Sequence, residues 1–218
     1  MSYNGQVYGV PDSANGWGFE GIFYNKQVFS KLHLAIPQTE AQFWADCAII
    51  KKASIVPFWI SSKDAWSDTQ VPENYWPWIF KRYPNKLRQF ISNKLKLADI
   101  PEYVHALGFM KEAAQKGYSN PNYTTATYDE GLQALVTGKV AMYAQGTWIY
   151  SALQTSYPKQ LNTLGFFPQP IDGHNLVAIS PPQAFYVNKN TKNAAAVNKW
   201  LEFYATVFGT EKRAHAHI

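Results

Sequence analysis

Apolar and polar positions along the chain alternate between two periods, and the periods change at recognisable boundaries. Short apolar runs read as strands: Gln6–Val10, closed by Pro11; Gly21–Tyr24; Ile55–Ile60, with Pro57 at an edge or bulge position; Val140–Ala144; and Leu164–Phe167, closed by Pro168. Between them the spacing becomes helical. Asn25 caps a short helix running to about Leu32. Thr39 and Gln42 form a capping-box pair ahead of Phe43, Cys47 and Ile50, and that helix ends near Ala53. A helix over 101–116 carries Val104, Leu107, Met110 and Ala114, with Gly117 as its stop. Thr127 with Glu130 opens another that ends at Gly138, and Gly146-Thr147-Trp148 starts one reaching about Ser156. Residues 61–71 read as a polar loop around Trp66 and 72–92 as mostly helical. Residues 170–175 are a turn, 176–187 hold two short strands around Pro181-Pro182, and 193–207 form the last helix, with Ala196, Val197, Trp200, Leu201 and Tyr204 on one face. Helices alternating with short apolar strands predict an α/β architecture.

Composition narrows the class. The chain has 218 residues, 46% of them apolar and 16% charged, which is enough for a genuine core and unlike a disordered tail. Aromatic residues reach 16%, with eight Trp; beyond core filling, such a surplus suits a surface for flat apolar faces, which sugars present. The net charge of +5 invites a nucleic-acid reading, but the cations are scattered singly or in pairs such as Lys51-Lys52 and Lys81-Arg82, with no Arg-rich stripe, so that reading is set aside. The single cysteine, Cys47, excludes an internal disulfide and sits in an apolar helical stretch as a buried small residue. No stretch has the apolar length of a bilayer span, and the opening residues are not a signal peptide, so work outside the membrane implies an export signal removed or lost.

Seven short patterns then recur in a fixed order. Asn4-Gly5-Gln6-Val7-Tyr8-Gly9-Val10-Pro11 is followed by Phe23-Tyr24-Asn25-Lys26-Gln27-Val28-Phe29, then Ile36-Pro37-Gln38-Thr39 with Phe43-Trp44. Gly131-Leu132-Gln133-Ala134-Leu135 precedes Gly138-Lys139-Val140-Ala141-Met142, and Gln145-Gly146-Thr147-Trp148 and Gly165-Phe166-Phe167-Pro168-Gln169-Pro170 come next. Val187-Asn188-Lys189-Asn190 with Ala196 and Trp200-Leu201-Glu202-Phe203 closes the series. Together they resemble the family 1 extracellular solute-binding proteins, the group of the maltose-binding protein.

That resemblance implies a periplasmic-binding-protein-like type II α/β fold, of which the chain holds mostly one lobe. Residues 1–11 would be a hinge strand, 12–178 the second lobe, and 179–218 a returning strand and helix of the first lobe, with the family's opening βαβ segment and closing helices missing. It implies a sugar receptor for an ABC importer, extracytoplasmic, whose partners are the sugar and the permease subunits, with membrane attachment only through a missing lipid anchor. No cofactor and no catalysis are implied. A lone lobe presents half a cleft, which predicts weak affinity and an exposed face open to homodimer formation.

By the same resemblance, Trp148 at a helix start faces the cleft and stacks on a sugar ring; core packing at a strand–helix junction is the competing role. Trp66 and Asp64 lie in a loop pointing at the ligand, the carboxylate accepting sugar hydroxyls while the indole covers the apolar face. The alternatives are a solvated Asp and an indole packed on Trp76. Asn15 and Trp17 fall in a loop that contacts ligand in the family, although Asn15-Gly16 also reads as a plain turn. Gln145 completes the candidate set. Trp76 and Trp78 read as core or interlobe packing. His33, His105 and His174 are too scattered to ligate a metal, and Gly16-x-Gly18 lacks the rest of a phosphate loop. A glycoside hydrolase is the enzymatic alternative, yet no acidic pair sits in a recognisable acid–nucleophile motif. A lobe without binding activity is the other alternative.

Overall fold

In the computed structural model, which describes residues 2–3, 5–11, 18–171, 176–180 and 183–215, the chain opens with three two-residue strands, β1 (Ser2–Tyr3), β2 (Gln6–Val7) and β3 (Val10–Pro11). The long strand β4 (Gly18–Asn25) leads into α1 (Lys26–Lys31), α2 (Glu40–Lys52) and β5 (Val56–Trp59). Four short helices follow, α3 (Ala65–Asp68), α4 (Gln70–Glu73), α5 (Trp76–Arg82) and α6 (Lys86–Ile91), and then α7 (Pro101–Gln115) and α8 (Tyr128–Val136). The rest comprises β6 (Val140–Gly146), α9 (Trp148–Ser156), β7 (Leu164–Phe167), β8 (Ala178–Ser180), β9 (Ala184–Phe185) and α10 (Ala194–His215).

The chain divides into two units, residues 19–179 and the two outer segments 1–18 and 180–218. In the larger unit β5, β6, β4 and β7 lie side by side in that order, and β8 also pairs with β4. β4 runs antiparallel to both neighbours, while β5 and β6 are parallel. The β4 register sets Ile22 opposite Ala144 and Phe167, and Phe23 opposite Tyr143 and Phe166.

Period-two alternation deals these side chains to two cores. Ile22, Met142, Phe58 and Phe167 face one core with Phe43, Cys47 and Ile50 of α2 and Ala106, Phe109 and Ala113 of α7. Phe23, Tyr143, Trp59 and Leu164 face the other with Leu132 and Leu135 of α8 and Ile149 and Leu153 of α9. Burial on both faces explains why the strands read as unbroken apolar runs. In the smaller unit β1 pairs with β2, β3 pairs with β9, and Phe185 packs edge-on against Trp200 and Tyr204 of α10.

Both expected capping boxes are present, Thr39 with Gln42 and Thr127 with Glu130, and Gly117 and Gly138 adopt the positive φ that ends their helices (63° and 71°). Cys47 is fully buried. Three expectations are corrected. The single strand over 6–10 is two short strands with different partners, joined through Gly9, where a Cβ would press on Tyr186. The polar loop at 61–71 contains α3 and the start of α4, closed by the Thr69 hydroxyl and Gln70 amide donating to the Trp66 carbonyl. The stretch 72–92 is mostly helical as expected, with a break at Tyr83, which precedes Pro84 and leaves helical geometry (φ −133°, ψ 69°). On α7 the buried stripe is Ala106, Phe109 and Ala113, whereas Val104 and Leu107 are about half exposed. α7 packs against α4 and meets α2 through Phe109, which lies on Phe43 and Trp44, and the Val104–Leu107 stripe is left outside.

Candidate functional site

The parallel strands β5 and β6 end side by side, and the chain leaving each turns across the same edge of the sheet. Clefts outside the carboxyl ends of parallel strands are where α/β proteins place ligands. After β5, the loop from Ile60 is fixed by Asn120, which is buried; its carbonyl oxygen accepts the Ile60 N–H at 2.9 Å and its amide donates to the Ile60 carbonyl at 3.1 Å. The Ser62 and Lys63 N–H groups donate to the carbonyls of Tyr123 and Ala126. After β6, the Thr147 N–H donates to the Phe19 carbonyl at 2.9 Å and the Phe19 N–H to the Thr147 hydroxyl, so the start of α9 is tied to the start of β4.

Four of the sequence candidates meet here. The Trp148 indole N–H donates to Gln145 Oε1 at 3.0 Å, and Gln145, with no exposed surface, donates through Nε2 to Ser67 Oγ at 2.7 Å. The Ser67 hydroxyl joins those of Ser61 (2.7 Å) and Tyr143 (2.9 Å) in a buried triangle. Burial pushes the Tyr143 phenol up to about 12, so it stays a neutral hydrogen-bonding group. Trp148 lies against Gly146, where a Cβ would overlap its six-membered ring; glycine is required for that close approach.

Trp66 stands beside this relay. Its ring is 6.3 Å from that of Trp148, edge to face, and 4.9 Å from that of Tyr128, and it is 48% exposed. An indole held by two aromatic neighbours while half its surface faces water is an amphipathic platform. Asp64 supports the platform from below: its Oδ2 accepts the Tyr128 N–H at 2.7 Å at the first turn of α8, and its carbonyl accepts the Ser67 N–H. Burial, with Tyr143 and Asp129 adding, raises the Tyr128 phenol as well. Asn15 and Trp17 lie outside the described residues, as does His174.

On the neighbouring strand Glu20 sits opposite Gly146 and is buried. Burial raises its carboxyl to about 7, and the Glu73 carboxylate beside it acts in the same direction. Glu73 in turn accepts from the Gln70 amide at 3.3 Å. Ser61, Ser67, Tyr128, Tyr143, Asn120 and Glu20 were not among the sequence candidates; most of their partners are distant in sequence, and the short Ser61–Ser67 link carries no recognisable motif. A groove of about 520 Å³ lies elsewhere, at the amino-terminal end of β5, lined by Lys51, Val56, Gly117 and Tyr123 among others. It lacks an aromatic platform, and the Lys51 ammonium there already donates to the Lys116 carbonyl. Among the described residues no group of three or more His, Cys, Asp or Glu side chains is placed to hold a metal ion. His105 instead pairs with Glu40 at 2.8 Å.

The family described as bacterial extracellular solute-binding protein matches residues 3–207. The chain is 26% identical over 215 residues to the multiple sugar-binding protein of Streptococcus mutans, covering 96% of this chain and 50% of that protein. Among solved structures, a chitin oligosaccharide binding protein is similar with a TM-score of 0.76 at 21% identity, over 95% of this chain and 51% of its own. A mannobiose complex of a binding protein of an ABC transporter from Bifidobacterium animalis subsp. lactis gives 0.72 at 21% identity, over 94% and 49%. The chain thus spans about half the length of the relatives it matches.

Proposed function

The chain belongs to the bacterial extracellular solute-binding protein family, and on that premise we propose that its Trp66–Trp148 surface receives a neutral carbohydrate as the substrate receptor of an ABC importer. The observation that carries this reading is the pairing of a half-exposed Trp66 with a Trp148 whose indole N–H is fixed by a buried Gln145. A pyranose C–H face lies on the indoles, and its hydroxyls meet polar groups at the rim. The relatives described as binding sugars support the substrate class, and the Asp64 carboxylate beside the platform disfavours an acidic saccharide relative to a neutral one.

In this reading Trp148 and Trp66 stack, Gln145 orients Trp148, and Asp64 combines a scaffold role through Tyr128 with a hydroxyl-accepting role through its other oxygen. Asn15 and Trp17 would extend the rim. Residues 12–178 would act as one lobe, with 1–11 and 179–218 belonging to the hinge and the opposite lobe. The protein works outside the cytoplasmic membrane, delivers sugar to permease subunits, and catalyses nothing; an uncovered lobe face permits a homodimer.

Calorimetric titration with a panel of neutral oligosaccharides tests the proposal. Saturable binding that Trp66→Ala and Trp148→Ala each weaken at least about tenfold is expected, since loss of a stacked aromatic removes more than 1 kcal/mol. Turnover of a chromogenic glycoside, or binding indifferent to both substitutions, would contradict it.

A further inference from the structure

A second surface, away from the aromatic platform, is built from α6 and its flanks. From Lys81 to Lys96 the chain carries Lys81, Arg82, Lys86, Arg88, Lys94 and Lys96 and not one Asp or Glu, although the whole chain has fifteen acids to its twenty Lys and Arg. α6 buries none of its residues. Leu87, Phe90 and Ile91, spaced to share one helical face, are 40%, 39% and 74% exposed. This face is anchored, not loose: the Phe90 ring lies 6.1 Å from Trp76, which stacks on Phe80 at 5.1 Å and packs on Tyr103 at 5.2 Å.

The cations are mostly uncompensated. Arg82 lies 4.0 Å from Glu102, and an Asp99 oxygen accepts the Lys96 backbone N–H; no other described carboxylate is paired with the segment. Lys86 and Arg82 lie over the Tyr83 ring, so their charge is displayed beside the apolar face instead of being folded away.

We propose that this segment seats the protein on an anionic phospholipid bilayer, with Leu87, Phe90 and Ile91 entering the headgroup–acyl boundary while the surrounding cations meet the lipid phosphates. Charge decides the occupant. A second copy of the same face would bring six like charges against six, and an acidic protein surface would satisfy the cations but leave Ile91 against polar groups. An anionic bilayer offers phosphate and hydrocarbon together, the combination interfacial basic helices use. No described helix is long and apolar enough to cross a membrane, so the contact is peripheral.

Flotation of the full chain with vesicles tests this, using phosphatidylcholine alone and phosphatidylcholine mixed with phosphatidylglycerol. Recovery with the anionic vesicles, absent with the neutral ones and reduced about tenfold or more in concentrated salt, is expected. Ile91→Asp and the double variant Arg88→Glu with Lys94→Glu should each abolish it, with circular dichroism melting unchanged because these side chains are exposed. Equal recovery with both vesicle types, no recovery with either (the outcome for a segment that docks on an acidic protein), or full recovery of variants that remain folded overturns the proposal.

Discussion

At the scale of single residues, the site rests on an inside-out hydrogen-bond chain. Trp148 is oriented by Gln145, Gln145 by Ser67, and Ser67 by Tyr143 and Ser61, all of them buried except the indole itself. Removing the middle of such a chain strands its neighbours. Gln145→Ala leaves the Trp148 N–H without its acceptor and is expected to cost about 1–3 kcal/mol in urea unfolding, with a loss of sugar response that restoring stabilisers does not recover. Gly146→Ala places a methyl where the Trp148 ring lies; the ring must move, and both stability and binding should fall, stability by about 1–3 kcal/mol. Glu20 gives a pH signature. The folded protein keeps its proton up to about 7, whereas an unfolded chain releases it near the ordinary 4.5, so stability contributed by this group falls as pH rises through that interval. Glu20→Gln should therefore be more stable than the parent at mildly alkaline pH, by about 1–2 kcal/mol, and indistinguishable from it in acid, as thermal melts across the range would show.

At the scale of elements, local chemistry was legible and long-range pairing was not. The boundaries of α2 and α8 are written in their capping boxes, and both were readable because the partners sit three residues apart. The buried face of α7 was not, because Val104–Leu107–Met110 and Ala106–Phe109–Ala113 both fit a helical stripe; only the tertiary packing of α4 and of the α2 aromatics on α7 selects the second. The segment 61–71 lacked apolar periodicity, yet two helical turns form there because Asn120, buried and distant in sequence, holds its entrance. Asn120→Ala should loosen that segment, costing roughly 2–3 kcal/mol and raising amide exchange at residues 60–64 above that of β6. The candidate set was legible in the same uneven way. Asp64, Trp66, Gln145 and Trp148 converge, but the Ser61–Ser67–Tyr143 triangle joins residues up to 82 positions apart and leaves no sequence trace.

At the scale of the whole molecule, two cores sharing one sheet explain how strand ends β5 and β6 come to carry the platform: the sheet is rigid because both faces are sealed, and the loops it presents inherit that rigidity. The chain belongs to the bacterial extracellular solute-binding protein family, and the relatives it matches are about twice as long. If sugar lies on Trp66 and Trp148, those two indoles must report its arrival. The eight indole N–H signals in a nitrogen–proton correlation spectrum report on every Trp separately, so titration with a neutral oligosaccharide shows which rings meet the sugar. Saturable shifts at Trp66 and Trp148 are expected, with Trp44, Trp59 and Trp76 unmoved. Shifts confined to those latter indoles, or none at any indole while calorimetry shows binding, would contradict that placement.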